Sequence, residues 1–544
     1  MTAAASSSAP TEAPQRAALL STSPASLPAS LDTASSLLHA DLPVAFPTET
    51  VYGLGASALS SVAVKRIFAA KGRPSDNPLI VHVGGREMLE GLLPTREGAR
   101  AGEVEIPKMY EALMERFWPG ALSLVFPLAH LDPKGKGKAV EPAAAAPPFA
   151  FTPSSTASTT LPAPTAPPPA KYTPPRLSVA PEVTAGQPSL CIRMPSHPLA
   201  LRLIQHSNLP LAAPSANLSS RPSPTTAAHV LHDLGEGRGV GAVLDGGECD
   251  VGVESTVVDW VPPKEGEEGE GALRILRAGG VTAEEIEACL RDAGFATSSS
   301  GEGERKKVLQ VYARDFRSKA LEAAPTTPGM KYKHYAPGNA KVVLVRPIAA
   351  DEAGPLGPLP SLQYLIQLTA LTHASVGVDA EGNSVEERFR VGLMLMDETV
   401  EALKAEVVVP STSTSTDKEE KPAPTAAYET LTLPPPPPSL FSTLSLGEES
   451  NLPPLSRITI LSHSLGSRAR PIEAAQRLFG GLRLFDSLPL SAGAGAEKEG
   501  ERVGVDLILV EAVPEEGVGL AVMERARKAA GGTERGGEME FALP

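Results

Sequence analysis

The chain contains few cysteines and no long apolar run, and both shortages argue against particular classes of protein. Among its 544 residues, the three cysteines Cys191, Cys249 and Cys289 lie far apart and form no C-x-x-C pair. This spacing argues against a disulfide framework and a structural zinc site, and it fits a reducing compartment. No apolar stretch approaches the roughly 18 residues that cross a bilayer. We therefore expect a soluble protein without a membrane partner.

The chain also lacks an excess of positive charge and several catalytic signatures. Its formal net charge is −14, so the whole chain is not an electrostatic surface for nucleic acid, although a local basic groove is compatible with this charge. No G-x-S-x-G elbow, H-E-x-x-H, Walker A or G-x-G-x-x-G motif occurs in a supporting context. The enzyme classes that depend on these motifs are therefore disfavoured.

Length and composition predict two folded domains interrupted by biased segments. A chain of this length exceeds one ordinary core, and much of its proline lies in runs that cannot bury enough apolar surface to fold. We predict a disordered tail at 1–34, a first domain at 35–295 with a disordered insertion at about 130–175, a linker at 296–339, and a C-terminal domain at 340–544 with a disordered insertion at about 410–454.

The first residues are interpreted as a tail rather than a targeting signal. Arg16 is the only basic residue among roughly the first 30, where Glu12 is acidic and Asp32 follows. Transit peptides are rich in Arg and poor in acidic residues. We expect a cytoplasmic protein, and a targeting signal with an additional mitochondrial pool is the alternative.

Strands alternate with helices along both domains, which predicts an α/β fold. In the second domain the pattern resembles a small doubly wound, Rossmann-like domain, although no phosphate-binding glycine loop follows its first strand. We predict its strands at 341–345, 374–378, 458–461 and 507–510, and its helices at 386–396, 471–482 and 518–528.

The run A-K-G-R-P-S-D-N-P-L-I, residues 70–80, reads as a turn that holds an anion. Lys71 and Arg73 follow a predicted helix and supply a point charge and a planar fork, a common pair for polyphosphate. Asn77 lies between Asp76 and Pro78. The alternative is a solvated turn in which Asn77 caps the backbone.

Other polar groups lie at the ends of predicted elements. P-T-E-T-V-Y-G-L-G (47–55) and P-S-A-N (214–217) follow strands, S-P-T (223–225) precedes a helix, and E-S-T-V-V-D (254–259) begins a strand. Strand ends often carry the active site in α/β folds. The alternative is that the hydroxyl groups cap turns and helices.

Arg193 and Arg277 each end a predicted strand with no acidic residue beside them in the sequence. An arginine in this position needs a carboxylate or phosphate partner, so the pattern favours a bound anion over an internal ion pair. His82, by pattern alone, reads as a core histidine.

Together these runs resemble the YrdC-like family, and specifically its two-domain form, the threonylcarbamoyl-AMP synthases. They occur in order, cover most of residues 35–295, and are jointly specific. The resemblance rests on P-T-E-T-V-Y-G-L-G, K-G-R-P-S-D-N-P-L-I-V-H, W-P-G-A-L, R-M-P-S-H-P, A-A-P-S-A-N-L-S-S-R-P-S-P-T, G-V-E-S-T-V-V-D, L-R-A-G-G and, in the linker, P-G-M-K-Y-K-H-Y-A-P.

The resemblance implies a fold and an activity. The fold is a YrdC-like twisted mixed sheet flanked by helices, followed by a smaller Rossmann-like domain. The activity is that of a nucleotidyltransferase, which makes L-threonylcarbamoyl-AMP and pyrophosphate from L-threonine, bicarbonate or carbon dioxide, and ATP with Mg²⁺. A downstream threonylcarbamoyl transferase complex would then modify a tRNA adenosine beside the anticodon.

The resemblance also implies roles for residues at matching motif positions. Lys71 and Arg73 would be the catalytic pair. The L-threonine pocket would be lined by Thr50, His82, Arg193, Ala213 through its backbone, and Ser255. ATP would be held by Lys71, Arg73, Asn77, Ser189, Ser215, Asn217, Ser223, Arg277 and Tyr335. A linker lid that excludes water from the nucleotide would consist of Tyr332, His334 and Tyr335.

Three alternatives stay open at this point. A non-catalytic RNA-binding module is one, and the net charge of −14 weighs against it. A carbamoyl-transfer domain of hydrogenase-maturation type is another, and it would carry zinc-binding C-x-x-C pairs that this chain lacks. The second domain could also act as a scaffold.

Overall fold

The computed structural model describes the two folded domains and leaves several segments undescribed. The described residues are 16–94, 106–128, 177–263, 270–295, 308–319, 321, 335–348, 377–378, 384–385, 390–406, 429–431, 459–487, 504–531 and 539–542. None of the helices in these ranges combines the length and the apolar composition that a bilayer crossing requires.

The first domain is a mixed sheet flanked by helices. Its described helices are α1 (Leu27–His39), α2 (Ser61–Lys71), α3 (Arg86–Leu92), α4 (Lys108–Phe117), α5 (Pro181–Thr184), α6 (Pro198–Ser207), α7 (Ala227–Leu234) and α8 (Ala283–Asp292). Its described strands are β1 (Ala18–Ser21), β2 (Val44–Phe46), β3 (Gly53–Ser57), β4 (Ile80–His82), β5 (Leu122–Pro127), β6 (Ser189–Arg193), β7 (Leu211–Ala212), β8 (Ala242–Asp245), β9 (Thr256–Val261), β10 (Ala272–Arg277) and β11 (Leu309–Val311).

These strands form one sheet in the order β1-β8-β2-β3-β7-β4-β6-β5-β9-β10-β11. The sheet contains both parallel pairs, such as β4 with β6, and antiparallel pairs, such as β5 with β6. Successive residues of a strand point to opposite faces. In β2, Phe46 packs in the cluster around α1 and α6, whereas Ala45 packs in the larger cluster around α2, α4 and α8. The sheet is therefore covered on both faces.

The second domain is a mostly parallel sheet. Its main sheet runs β16-β17-β15-β18-β12-β19, in which only the edge pair β16 and β17 is antiparallel. The described elements are β12 (Lys341–Ile348), β13 (Gly377–Val378), β14 (Ser384–Val385), β15 (Arg390–Leu395), α9 (Asp397–Glu406), β16 (Glu429–Leu431), β17 (Thr459–Ser464), α10 (Pro471–Ser487), β18 (Leu507–Glu511), α11 (Gly519–Ala529) and β19 (Met539–Ala542).

The two domains share an apolar core at their contact. Val51 and Val253 of the first domain lie in the same buried cluster as residues of α10 and α11. Gly252 has a φ of +76°, and a Cβ atom there would lie 2.4 Å from the Gln476 Cα in α10. A side chain at this position would push the two domains apart.

Several boundary predictions are wrong. The predicted tail at 1–34 contains β1, which pairs with β8, and most of α1, because pairing and packing supply order that the Ala/Ser composition does not. Within the predicted linker, 296–339, residues Leu309–Val311 form β11, which adds to the sheet beyond β10.

In the second domain the segment predicted as helix 386–396 contains the central strand β15, because a strand buried on both faces is a continuous apolar run. Only Gly377–Val378 of the predicted strand 374–378 is a described strand, and it pairs with β14 outside the main sheet. The predicted insertion at 410–454 includes the edge strand β16. The insertion at 130–175 lies outside the described residues.

Candidate active site

A cavity opens where several strands of the first sheet end. The parallel pair β4 and β6 places His82 beside Arg193, and the Ala213 amide after β7 donates to the Ile80 carbonyl at 2.9 Å. The predicted residues that line the cavity are Thr50, Lys71, Arg73, His82, Arg193, Ala213, Ser215, Asn217, Ser223, Ser255, Arg277 and Tyr335. Motifs that lie far apart in the sequence therefore meet at one site.

Asn77 and Ser189 are not part of this lining. Ser189 begins β6, four residues and about 13 Å from Arg193 at the other end of the strand. Within the described residues, neither the Asn77 Oδ1 nor the Ser189 Oγ has a hydrogen-bond partner. Their contacts with ATP stay predictions.

Arg193 is buried and has an internal carboxylate partner, so this arginine forms the internal ion pair that the sequence analysis ranked below a bound anion. One terminal nitrogen donates to the Glu49 carboxylate, the other donates to Thr50 Oγ1 at 2.9 Å, and Nε donates to the Gly120 carbonyl at 3.0 Å. Because a guanidinium has five N–H groups, one N–H on each terminal nitrogen has no acceptor among the described residues. A donor on each terminal nitrogen can bind the two oxygens of a carboxylate.

Hydroxyl groups surround this arginine. Thr48 Oγ1 lies 2.7 Å from Thr50 Oγ1 and donates to the Val51 carbonyl, which fixes the turn after β2. Ser123 Oγ lies 2.8 Å from Ser255 Oγ across neighbouring strands. The hydroxyl groups of Thr50 and Ser255, which line the cavity, are therefore each hydrogen-bonded to a second hydroxyl group, that of Thr48 and that of Ser123 respectively.

Lys71 reaches the wall because α2 ends there. The Ser60 hydroxyl caps the start of the helix, and Gly72 at φ +58° ends it, a conformation that favours glycine. Lys71 Nζ donates to the carbonyls of Ser215 and Asn217. Burial, and then the charge of Arg73, lower the pKa of Lys71 well below its usual value. Lys71 thus fixes the P-S-A-N loop, and its contact with phosphate stays a prediction.

Arg277 lies against the loop before β9. Its guanidinium donates to the Ser255 carbonyl and to Ser255 Oγ. The neighbouring Glu254 carboxylate lines the cavity and accepts from Ser223 Oγ at 2.6 Å. Burial opposes ionisation of Glu254, but the charges of Arg525 and Arg277 outweigh it and lower its pKa to about 2.

Several buried polar atoms at the site face no protein partner. Within the described residues, His82 Nδ1, Asn217 Oδ1 and Ser219 Oγ have none. Burial, and then the nearby Arg193, lower the pKa of His82 to about 3, so the ring is neutral at pH 7. Buried polar groups are normally hydrogen-bonded, and these atoms are therefore suited to a polar ligand.

Tyr335 connects the cavity to the second domain. It is buried, has a φ of +68°, and its ring centroid lies 5.1 Å from that of Phe479 in α10. The next residue, Ala336, donates its amide to the Ser220 carbonyl at 2.9 Å. Tyr332 and His334, the other residues of the predicted lid, lie outside the described residues, so the lid stays a prediction.

The sequence reasoning missed functional candidates of two kinds. Glu49 and Glu254 lie inside motifs that the sequence analysis used. A buried arginine needs a carboxylate partner, and this requirement could have pointed to both residues. Arg483 and Arg525 belong to the second domain. Arg525 lies four residues after Ala521 and three after Val522, so it shares the apolar face of α11 with them. An arginine at such a position in the sequence indicates a buried guanidinium.

The mixed sheet, the basic and hydroxyl-rich cavity at its strand ends and the parallel second sheet define a two-domain protein of the YrdC-like class. Comparison with protein-family models agrees. Residues 36–140 and 139–279 match the family described as "Telomere recombination", and residues 281–531 match "Threonylcarbamoyl-AMP synthase, C-terminal domain". The chain belongs to the threonylcarbamoyl-AMP synthase family.

Named relatives support this assignment along the chain. A threonylcarbamoyl-AMP synthase of Bacillus subtilis is 33% identical over 92% of this chain and 92% of its own length. The Pyrococcus abyssi synthase is 32% identical over 90% of each chain. The Schizosaccharomyces pombe synthase is 41% identical over 59% of this chain and 65% of its own length.

A solved structure supports the fold. The crystal structure of P. abyssi Sua5 complexed with L-threonine has a TM-score of 0.52 and 29% identity, and covers 95% of this chain and 96% of that one. The resemblance and the α/β fold class drawn from the sequence are confirmed.

Proposed function

We propose that the chain synthesises L-threonylcarbamoyl-AMP from L-threonine, bicarbonate or carbon dioxide, and ATP. The observation that carries this proposal is one cavity whose lining includes both Thr50, His82 and Arg193, which neighbour one another, and the cations Arg73 and Arg277. We assign the first set to a threonine wall and the second set to a nucleotide wall. Family membership and the threonine complex of a relative support the same reading. An amino acid and a nucleotide can therefore be held in one space.

The chemistry asks for positioning and charge neutralisation rather than a covalent nucleophile. The threonine amine adds to carbon dioxide and loses a proton. A carbamate oxygen then attacks the α-phosphorus of ATP, and the bond to pyrophosphate breaks. The AMP group is transferred, so the enzyme is a nucleotidyltransferase, and Mg²⁺ enters with ATP as part of the substrate.

In this proposal the two free N–H groups of Arg193 bind the threonine carboxylate. The neutral ring of His82 offers hydrogen bonds without adding charge beside the amine. The basic residues of the other wall bind the phosphates, and Tyr335 closes the nucleotide side. The product is a labile anhydride, which a downstream threonylcarbamoyl transferase complex consumes in modifying tRNA.

The test is pyrophosphate release by the full chain given ATP, L-threonine and bicarbonate. Release that depends on threonine is expected. Lys71→Ala and Arg73→Ala should abolish it. Lys65→Ala is the matched control, because this exposed lysine of the same helix pairs with Glu182 away from the cavity, and it should keep wild-type activity. Full activity in both site variants, or release without threonine, would refute the proposal.

A further inference from the structure

We propose that Arg525, on helix α11 of the second domain, is a positioning residue of the nucleotide site. It neutralises Glu254, so that no uncompensated carboxylate faces the phosphates of ATP at this point of the cavity. This inference rests on the proposed function. It assigns the second domain a part in the reaction that neither the motifs nor the relatives indicate.

The Glu254 carboxylate is shared between the two domains. One oxygen accepts from Ser223 Oγ at 2.6 Å, and the other accepts from Arg525 Nε at 3.0 Å. Arg525 also donates to the carbonyl of Ala278, the residue after Arg277. A single side chain of the second domain therefore contacts Glu254, which accepts from the nucleotide-binding candidate Ser223, and the residue that follows the candidate Arg277.

Burial makes this pairing obligatory. Arg525 is 1% exposed and Glu254 is 8% exposed. Around Arg525, Ala521, Val522 and Ala526 pack in the apolar core shared by the two domains. Neither charge can turn to solvent, so each depends on the other for compensation.

The neighbouring charges leave Glu254 as the main partner of Arg525. Glu524 lies 3.5 Å from Arg525, but it is held by Lys528 at 2.5 Å one turn further along the helix. Arg277 donates to Ser255 and lies close enough to lower the pKa of Glu254. Arg277 is thus the cation that Glu254 would draw on if Arg525 were absent.

The consequence for binding is electrostatic. A triphosphate beside an uncompensated carboxylate is repelled, and that carboxylate would compete for Arg277. With Arg525 in place, the Glu254–Arg525 pair is neutral, and the phosphates meet no uncompensated carboxylate there. The threonine wall has its own compensated pair, Arg193 with Glu49. The effect of Arg525 should therefore be confined to ATP.

The experiment measures KM for ATP and for threonine separately, by threonine-dependent pyrophosphate release from the full chain. Arg525→Met should raise KM for ATP at least about tenfold and leave KM for threonine within about twofold. Adding Glu254→Gln removes the uncompensated charge and keeps an acceptor for Ser223. The double variant should recover most of the lost ATP affinity.

Arg527→Met is the matched control. Arg527 lies on the same helix and pairs with Glu515 at 2.6 Å inside the second domain, so KM for ATP should stay at the wild-type value. Arg525→Lys keeps the positive charge but not the paired donors, and a rise of about threefold in KM for ATP is expected. If circular dichroism shows that Arg525→Met does not fold, Arg525→Lys decides.

Four outcomes would overturn the inference. The first is an unchanged KM for ATP in the Arg525 variants, and the second is an equal rise of KM for ATP in Arg527→Met. The third is an equal rise of KM for threonine in Arg525→Met. The fourth is a double variant whose KM for ATP is no lower than that of Arg525→Met. An active wild type with any of these leaves the proposed function standing. A wild type without threonine-dependent release refutes the proposed function itself.

Discussion

The buried pair of Arg193 and Glu49 allows the threonine side of the proposed function to be tested apart from stability. Arg193→Met removes the guanidinium and keeps the apolar stem. The variant loses the bonds to Thr50 Oγ1 at 2.9 Å and to the Gly120 carbonyl at 3.0 Å, and it leaves Glu49 buried without its cation. The two losses have different consequences, because one concerns the fold and the other concerns the ligand.

In Arg193→Met, the uncompensated charge of Glu49 should lower the free energy of unfolding more than the loss of the individual hydrogen bonds does. An uncompensated buried charge costs about 3–5 kcal/mol. For a domain of this size each kcal/mol lowers the melting temperature by about 2–4 °C, so a decrease of roughly 6–20 °C is expected. Glu49→Gln in the same chain removes the stranded charge and should restore most of this stability.

Glu49→Gln should restore stability without restoring the binding of the threonine carboxylate. A hydrogen bond to a charged group contributes about 1.5–3 kcal/mol, which corresponds to roughly ten- to 150-fold in affinity. Threonine binding measured by calorimetry, with melting followed by circular dichroism, should show low affinity in both variants and low stability only in Arg193→Met. If the double variant recovers threonine affinity, or Arg193→Met keeps it, Arg193 does not bind the threonine carboxylate.

Three further outcomes are expected from the same structure. Tyr335→Ala removes the ring packed on Phe479 and should release threonylcarbamoyl-AMP or hydrolyse it faster, as followed by chromatography of the reaction mixture; wild-type formation and retention would contradict the lid. Because the pKa of His82 is about 3 in the folded chain and about 6.5 when unfolded, the unfolded state binds the extra proton between these values, and stability falls as pH decreases through that range. His82→Gln should reduce the slope of the free energy of unfolding against pH, measured by urea titration, by up to about 1.4 kcal/mol per pH unit. An unchanged slope would contradict the burial of a neutral ring. Arg483→Met should lower the melting temperature less than Arg525→Met, because Asp233 keeps Arg221 at 3.2 Å after losing Arg483 at 2.8 Å; an equal decrease would count against this reading.

The parts of the site that follow from local order were predictable from the sequence. Turns after strands, such as the one that carries Thr50, and helix ends, such as the one that carries Lys71, depend on neighbouring residues. The motifs therefore placed twelve of the predicted residues in the lining of one cavity. Ser189 is not part of this lining, because a motif position does not say at which end of a strand a side chain lies, and its contact with ATP stays a prediction.

What depends on distant pairing was not predictable from local patterns. Strand β1 exists because it pairs with β8, more than 220 residues away, as the pairing of Ala18 with Ala242 shows. β15 was interpreted as a helix because the apolar run of a strand covered on both faces carries no alternation. The arginines Arg525 and Arg483, which pair with Glu254 and Asp233, lie in the other domain, and no spacing within either domain predicts these two pairs.

The two interdomain arginines also bear on how this chain can change in evolution. Glu254 and Asp233 belong to the first domain, yet a cation that each one binds comes from the second. A lineage that lost the second domain would leave Glu254 without its hydrogen-bonded arginine, so substitutions in the first domain would have to come before or with the deletion. Once a fused domain supplies such counter-charges, its loss destabilises the other domain. The two domains are then inherited as one unit, even where only one of them contacts the substrate.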